Sequence, residues 1–268
     1  MERTNAYSLL DFLDNSPCNF FAIATIQRYL DDNGFQELKQ SERWNLEKGG
    51  KYYVKKNDTA IFGFVIGETP LDQSGFNMIS AHSDSPCFRI KPNPEMLADG
   101  VLKLNTEVYG GPILYTWFDR PLSLAGRVIV RNPQNPARPI TKLIDFASPV
   151  LIIPHLAIHF NRNVNAGNPL SKQKDMLPIA AIVSDSMSKN NFLIDQIKER
   201  LEIADSKDIL DFDLMLYNCQ KSQLVGFNKE FICSGRIDDL SMAHAALSAL
   251  LNSDNPATTK VMAIFDNE

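Results

Sequence analysis

The spacing of apolar and polar positions changes several times along the chain, and each change predicts a different element. Over residues 17–32, Phe20, Ile23, Ile26, Tyr29 and Leu30 recur at helical intervals. Pro17 suits a first helical position after Ser16 as cap, and Gly34 suits a left-handed stop. Residues 5–13 read as a helix before it. Residues 51–55 and 59–66 read as strands joined through Asn57-Asp58, a hairpin, and residues 76–81 form a short apolar run that delivers His82 to a strand end. From about residue 90 to 230 the pattern breaks into short β-rich runs such as 127–131, punctuated by Gly and Pro, with one helical stretch at 191–204. Residues 231–234 then read as a strand, 239–251 as an amphipathic helix, and 259–265 as a strand alternating β-branched and apolar residues. The order predicts an α/β fold carrying a β-rich insertion: residues 1–90 and 231–268 form one domain, and 91–230 the inserted one.

Composition narrows the class. The 268 residues are 44% hydrophobic, enough for a packed core. With 27 Lys and Arg against 32 Asp and Glu, the net charge is −5 and no basic run tracks a phosphate backbone, so nucleic acid is not an expected partner. Apolar stretches such as 149–157 fall short of the roughly 18 residues a membrane span needs, and the charged N-terminus lacks the apolar stretch of a signal peptide. Four scattered cysteines, Cys18, Cys87, Cys219 and Cys233, form no C-x-x-C pair and read as reduced thiols in a cytoplasmic protein.

Candidate chemistry lies where predicted strands end. His82-Ser83-Asp84, Asp238-Asp239 and the terminal Asp266-Asn267-Glu268 each follow a strand, the place from which α/β sheets present ligand sites. An imidazole with a carboxylate two residues on suits a metal ligand and the group that orients it. Taken alone, His-x-Asp is more often a surface turn, and an Asp before a helix, as at Asp239, is more often an N-cap. A two-metal hydrolase needs a bridging carboxylate, a histidine on one ion and a free carboxylate to take a proton, roles that Asp238, His82 and Glu268 could fill. On bare sequence His155 and His159 read as interface or core residues and His244 as structural. Phe20, Phe21, Tyr29, Trp44, Trp117 and Phe118 fit packing.

Five stretches in order, "NMISAHSDSPCFRIKP", "NTEVYGGPILYTWFDRPLSLAGRV", "IPHLAIHFNRNVNAGNPLSKQKDMLPI", "SGRIDDLSMAHAAL" and "VMAIFDNE", resemble the successive motifs of the M18 metallo-aminopeptidases, the aspartyl aminopeptidase group, with the Trp117 to Arg120 stretch closest to bacterial members. The resemblance runs from about Tyr7 to the last residue. It implies a zinc-peptidase catalytic domain, a mixed sheet flanked by helices, with the β-rich insertion as dimerisation domain. It places the first zinc histidine on His82, the aspartate that follows it on Asp84, the bridging aspartate on Asp238 and the general base on Glu268. His159 matches a histidine that reaches the neighbouring subunit's active site to bind substrate. Two zinc ions per site, peptide substrates with a free and acidic N-terminal residue, a homodimer and a tetrahedral dodecamer are further implications.

The family pattern at the last motif is two consecutive glutamates, followed later by an aspartate and a histidine ligand, and this chain ends after the first glutamate. The expectation is therefore a chain that stops inside the motif, binds zinc weakly, has little peptidase activity and exposes an apolar sheet edge. Two alternatives stand beside it: a non-catalytic chain that associates with full-length subunits, and a related dinuclear aminopeptidase that prefers neutral residues.

Overall fold

The computed structural model describes residues 2–183, 190–254 and 256–267, which form two compact units. The first unit is Met1–Ser85 with Lys221–Glu268, and the second is Pro86–Gln220.

The first unit opens with helices α1 (Glu2–Asp14) and α2 (Asn19–Asp32), then strands β1 (Gln36–Glu37), β2 (Lys51–Lys56) and β3 (Ala60–Val65), a single helical turn α3 (Leu71–Ser74) and strand β4 (Phe76–His82). Strands β2 and β3 are the expected antiparallel hairpin, with Lys56 opposite Ala60. Asn57 and Asp58 both take left-handed φ values, 54° and 59°, which Asn and Asp tolerate better than most residues. Gly34 stops α2 at φ +79°. The expected Ser16 cap is not formed: Cys18 occupies the N-cap position, and the buried Ser16 hydroxyl has no hydrogen-bond partner. The α1–α2 turn closes instead on Asn19, whose side-chain oxygen accepts the Phe20 amide.

The second unit is built on β5 (Cys87–Ala98), β6 (Val101–Tyr109), β7 (Leu122–Val130), β8 (Ile140–Asp145), β9 (Ile179–Ile182), helix α4 (Phe192–Arg200) and β10 (Ile209–Asn218). Its six-stranded sheet runs in the order β8-β7-β10-β5-β6-β9, with every pairing antiparallel. Leu193 and Ile197 of α4 join Phe88, Leu104, Leu122, Val128, Leu214 and Leu216 in its core. Gly126 of β7 stands where a Cβ would meet the Asp213 carbonyl oxygen at 2.0 Å, so only glycine fits that close crossing.

The chain then returns to the first unit with β11 (Gln223–Val225), β12 (Phe231–Cys233), α5 (Ile237–Asn252) and β13 (Thr259–Phe265). Strand β13 enters the sheet interior, giving the order β1-β2-β3-β13-β4, antiparallel to β3 and parallel to β4. A strand with neighbours on both sides explains its near-continuous apolar character: Met262, Ala263 and Ile264 are buried. Helices α1, α2 and α5 pack Phe12, Leu13, Ile23, Ile26, Leu30, Leu240, Leu247 and Leu250 against it. Each such side chain contributes about 1.5–3 kcal/mol of burial. At one end of this sheet β4 is an edge, and Phe76, Met78 and Ile79 on it are exposed.

Among the described residues no helix is long and apolar enough to cross a membrane, and no disulfide joins the four cysteines. The other aromatic expectations hold in part: Phe20 is buried and Trp117 packs edge-on to Phe88 with ring centres 4.9 Å apart. Trp44 is largely exposed, its indole N–H donating to the Lys39 carbonyl. His244, on α5, packs on Phe12 and bonds the Ser8 hydroxyl at 2.9 Å, as a structural residue would.

Candidate metal centre

Parallel pairing of β4 with β13 sets the site. The register places Phe265 opposite His82, so both strands end at the same level of the sheet. Past that point the Ser83 amide donates to the Phe265 carbonyl at 2.8 Å and the buried Ser83 hydroxyl donates to the Thr59 carbonyl at 2.6 Å. These bonds fix the backbone that carries His82 and Asp84.

The second contribution comes from the entry to α5. Arg236 is left-handed (φ 58°), and Asp238 and Asp239 keep non-helical φ/ψ values of −84°, 114° and −113°, 15°, with a cis peptide between them. Regular helix therefore begins after the two aspartates, and their carboxylates turn toward β4. The Ser85 hydroxyl donates to the Asp238 carbonyl at 2.9 Å, and the His82 amide donates to Asp239 Oδ2 at 3.0 Å.

The imidazole of His82 is oriented from behind. Its Nδ1 lies 3.0 Å from Asp84 Oδ1 and 3.1 Å from the Asp84 carbonyl, both acceptors, so Nδ1 carries the proton and Nε2 presents its lone pair. That nitrogen lies 3.7 Å from Asp238 Oδ1 and 3.6 Å from Asp239 Oδ2. One ligand atom from each of His82, Asp238 and Asp239 falls within 4.8 Å of the others. Two ligands about 2.1 Å from a tetrahedral zinc stand roughly 3.4 Å apart, so the spacing fits an ion at their centre, and one nitrogen with two carboxylates is a donor set zinc accepts. Asp84 is buried, His82 and Asp239 are mostly covered, and Asp238 is 82% exposed, leaving its side open to solvent.

The structure thus brings His82, Asp84 and Asp238 together and adds Asp239, expected as an N-cap. Asp239 instead spends its carboxylate on the His82 amide and the space before Nε2. The signal that could have found it is its adjacency to Asp238 where a helix begins irregularly, which the alternation of residue types alone does not reveal. Glu268 lies outside the described residues. His159 belongs to the second unit, exposed on a turn, while His155 nearby packs edge-on to Phe118 at 4.6 Å and its amide donates to Asp119.

The profile of the family described as Aminopeptidase I zinc metalloprotease (M18) matches residues 12–268. A Clostridium novyi protein named "Probable M18 family aminopeptidase 2" is 51% identical over 264 residues, covering 98% of this chain and 60% of its own length. A Chaetomium thermophilum mApe1 structure superposes with a TM-score of 0.86 at 32% identity, covering 96% of this chain and 61% of that one. An S. cerevisiae mApe1 dodecamer shares the fold, with a TM-score of 0.82 at 22% identity over 98% of this chain and 60% of that one. The chain spans about 60% of the length of the curated relatives it matches.

Proposed function

The chain belongs to the M18 family of aminopeptidase I zinc metalloproteases, and on that premise we propose that it supplies part of the metal centre of an enzyme that removes N-terminal, preferentially acidic, residues from peptides. The observation that carries this reading is the convergence of His82 Nε2, Asp238 and Asp239, with Asp84 behind the ring.

Zinc held there supplies Lewis acidity and a nucleophile available at neutral pH. The chain's own residues do the rest. Asp84 keeps the proton on Nδ1 of His82, and Asp239 fixes the backbone from which the ring projects. Asp238, the most exposed of the group, would be the ligand open to sharing with a second ion in the complete centre. Glu268, following β13, accepts the proton of the attacking water and passes it to the leaving amine.

His159 binds substrate in a neighbouring subunit, with the β-rich insertion as the dimerisation module of a cytoplasmic homo-oligomer that builds toward a tetrahedral dodecamer. Exposed Leu156, Ile158 and Phe160 around His159 support a surface that another subunit covers, and the dodecamer of the yeast protein is consistent with this.

Among the described residues there is one three-donor group, enough for one ion. A donor group for one ion supports the reading that these 268 residues, assayed alone, have little peptidase activity. Elemental analysis after dialysis tests the metal assignment: with Asp239 as a third donor, about one zinc per chain is expected in place of the weak binding expected from His82 and Asp238 alone, with His82→Ala near zero, and an empty wild type would overturn it. Asp-, Glu- and Leu-capped substrates, assayed with the chain alone and with the chain mixed into the full-length C. novyi relative, test the rest. Turnover by the chain alone removes the inactivity proposal, a Leu preference favours the neutral-residue alternative, and a rate change on mixing favours the associating-subunit alternative.

A further inference from the structure

Two hydrogen-bonded links run from the α1–α2 turn to the two sides of the metal group. On one side Arg236, two residues before Asp238, reaches back to the end of α1: its Nε donates to the Ser16 carbonyl at 2.9 Å and its Nη2 to the Leu13 carbonyl at 3.1 Å. The last carbonyls of a helix lack partners further along the helix and attract cations, so the guanidinium has a defined seat there. Because two nitrogens of one planar group are engaged, the backbone of Arg236 is held in orientation as well as position. That backbone is the left-handed residue from which the chain turns into Asp238 and Asp239.

On the other side Asn19, at the start of α2 and 7% exposed, donates through Nδ2 to Asp266 Oδ1 at 2.9 Å, while its Oδ1 accepts the Phe20 amide at 2.9 Å. The second bond fixes which way the side-chain amide points, leaving the donor aimed at Asp266. Asp266 directly follows Phe265, the register partner of His82. The turn is itself braced: the Thr25 hydroxyl donates to the Asn15 carbonyl at 3.0 Å, and both Leu13 and Ser16 are fully buried.

From these links we infer that the α1–α2 turn, acting through Arg236 and Asn19, is a positioning element of the metal centre that sets where the Asp238 and Asp239 carboxylates meet His82 Nε2. The inference rests on the metal reading of that group. Arg236 and Asn19 touch no reacting atom; they act through the segments they hold. A site whose donor atoms must agree to a few tenths of an ångström is sensitive to the anchoring of each segment.

Cobalt(II), which takes zinc sites and absorbs in the visible according to its ligand geometry, is the probe. The 268-residue protein, Arg236→Met, Arg236→Lys and Asn19→Leu are titrated with Co(II) against a chelator, and the melting temperature of each metal-free form is recorded. Arg236→Met keeps an unbranched apolar chain but has no donor, and is expected to weaken Co(II) binding about tenfold or more and to alter the visible spectrum. Arg236→Lys, which can still reach one carbonyl, recovers part of both. Asn19→Leu, close in shape but without the bond to Asp266, shifts the spectrum in its own right and decides the matter should Arg236→Met fail to fold. Lower melting temperatures with unchanged affinity and spectrum would overturn the positioning role and leave the metal reading standing. A wild type that takes up no Co(II) would overturn both.

Discussion

Nδ1 of His82 lies 3.0 Å from the carboxylate of Asp84, and this one relationship turns Nε2 toward Asp238 and Asp239. Asp84→Asn keeps an acceptor near the ring but removes the charge that raises imidazole basicity. Loss of such a partner generally costs 10–100-fold in metal affinity, and a drop of about tenfold is expected in a zinc competition titration. An unchanged affinity would mean that the ring is oriented by the Asp84 carbonyl alone.

Asp239 has two tasks that substitution can separate. Asp239→Asn can still accept the His82 amide but loses its charge, so zinc affinity is expected to fall while the melting temperature of the metal-free protein stays within a few degrees. Asp239→Ala abandons the amide as well and lowers both. Full zinc occupancy in both variants would remove Asp239 from the ligand set.

His244 gives the first unit an acid-sensitive point. Burial holds its pKa below the ordinary value of 6.5, so the folded protein keeps the ring neutral while the unfolded chain takes up a proton first as pH falls. Its contribution to stability is complete above about pH 6.5 and is lost as pH drops from there toward the lowered folded value. Melting temperatures measured between pH 5 and 8 should fall more steeply on the acid side for the wild type than for His244→Gln. Equal slopes would show that other groups govern that range.

Ile264, buried on β13 beneath the helices, is the test of the first core. Truncation to Ala is expected to cost about 2–5 kcal/mol and to Val about 0.5–1.5 kcal/mol in denaturant unfolding. A cost below the Val range for the Ala variant would mean that the sheet interior relaxes around the gap.

Gly126→Ala tests the second unit, because the new methyl would collide with the Asp213 carbonyl on the neighbouring strand. A loss of about 1–3 kcal/mol is expected from overpacking, read by the same method. A neutral result would show that β7 and β10 separate easily at that point.

Much of the first unit was legible in the sequence because its signals are local. The Asn57-Asp58 hairpin, Gly34 as a stop, the strand ending at His82 and the apolar strand 259–265 each follow from neighbouring residues, and the structure has all four. The readings that failed depend on partners far away in the chain. Ser16 has the chemistry of a cap, but the α1–α2 turn is arranged around Arg236, 220 positions later. Asp239 has the position of a cap, but its carboxylate is claimed by the His82 amide, 157 positions earlier. No pattern within a short window carries either fact.

The place of β13 between β3 and β4 has a consequence for the growing polypeptide. β3 and β4 are close in sequence but share no ladder; each pairs with residues 259–265. At synthesis rates of about 5 to 20 residues per second, the ribosome needs roughly ten to forty seconds to pass from residue 65 to residue 259. Throughout that interval the apolar faces of α1, α2 and β3 lack the central strand they pack against. The candidate metal group likewise joins His82 on β4 with Asp238 and Asp239 at the start of α5, so it cannot assemble until the chain has grown past residue 239.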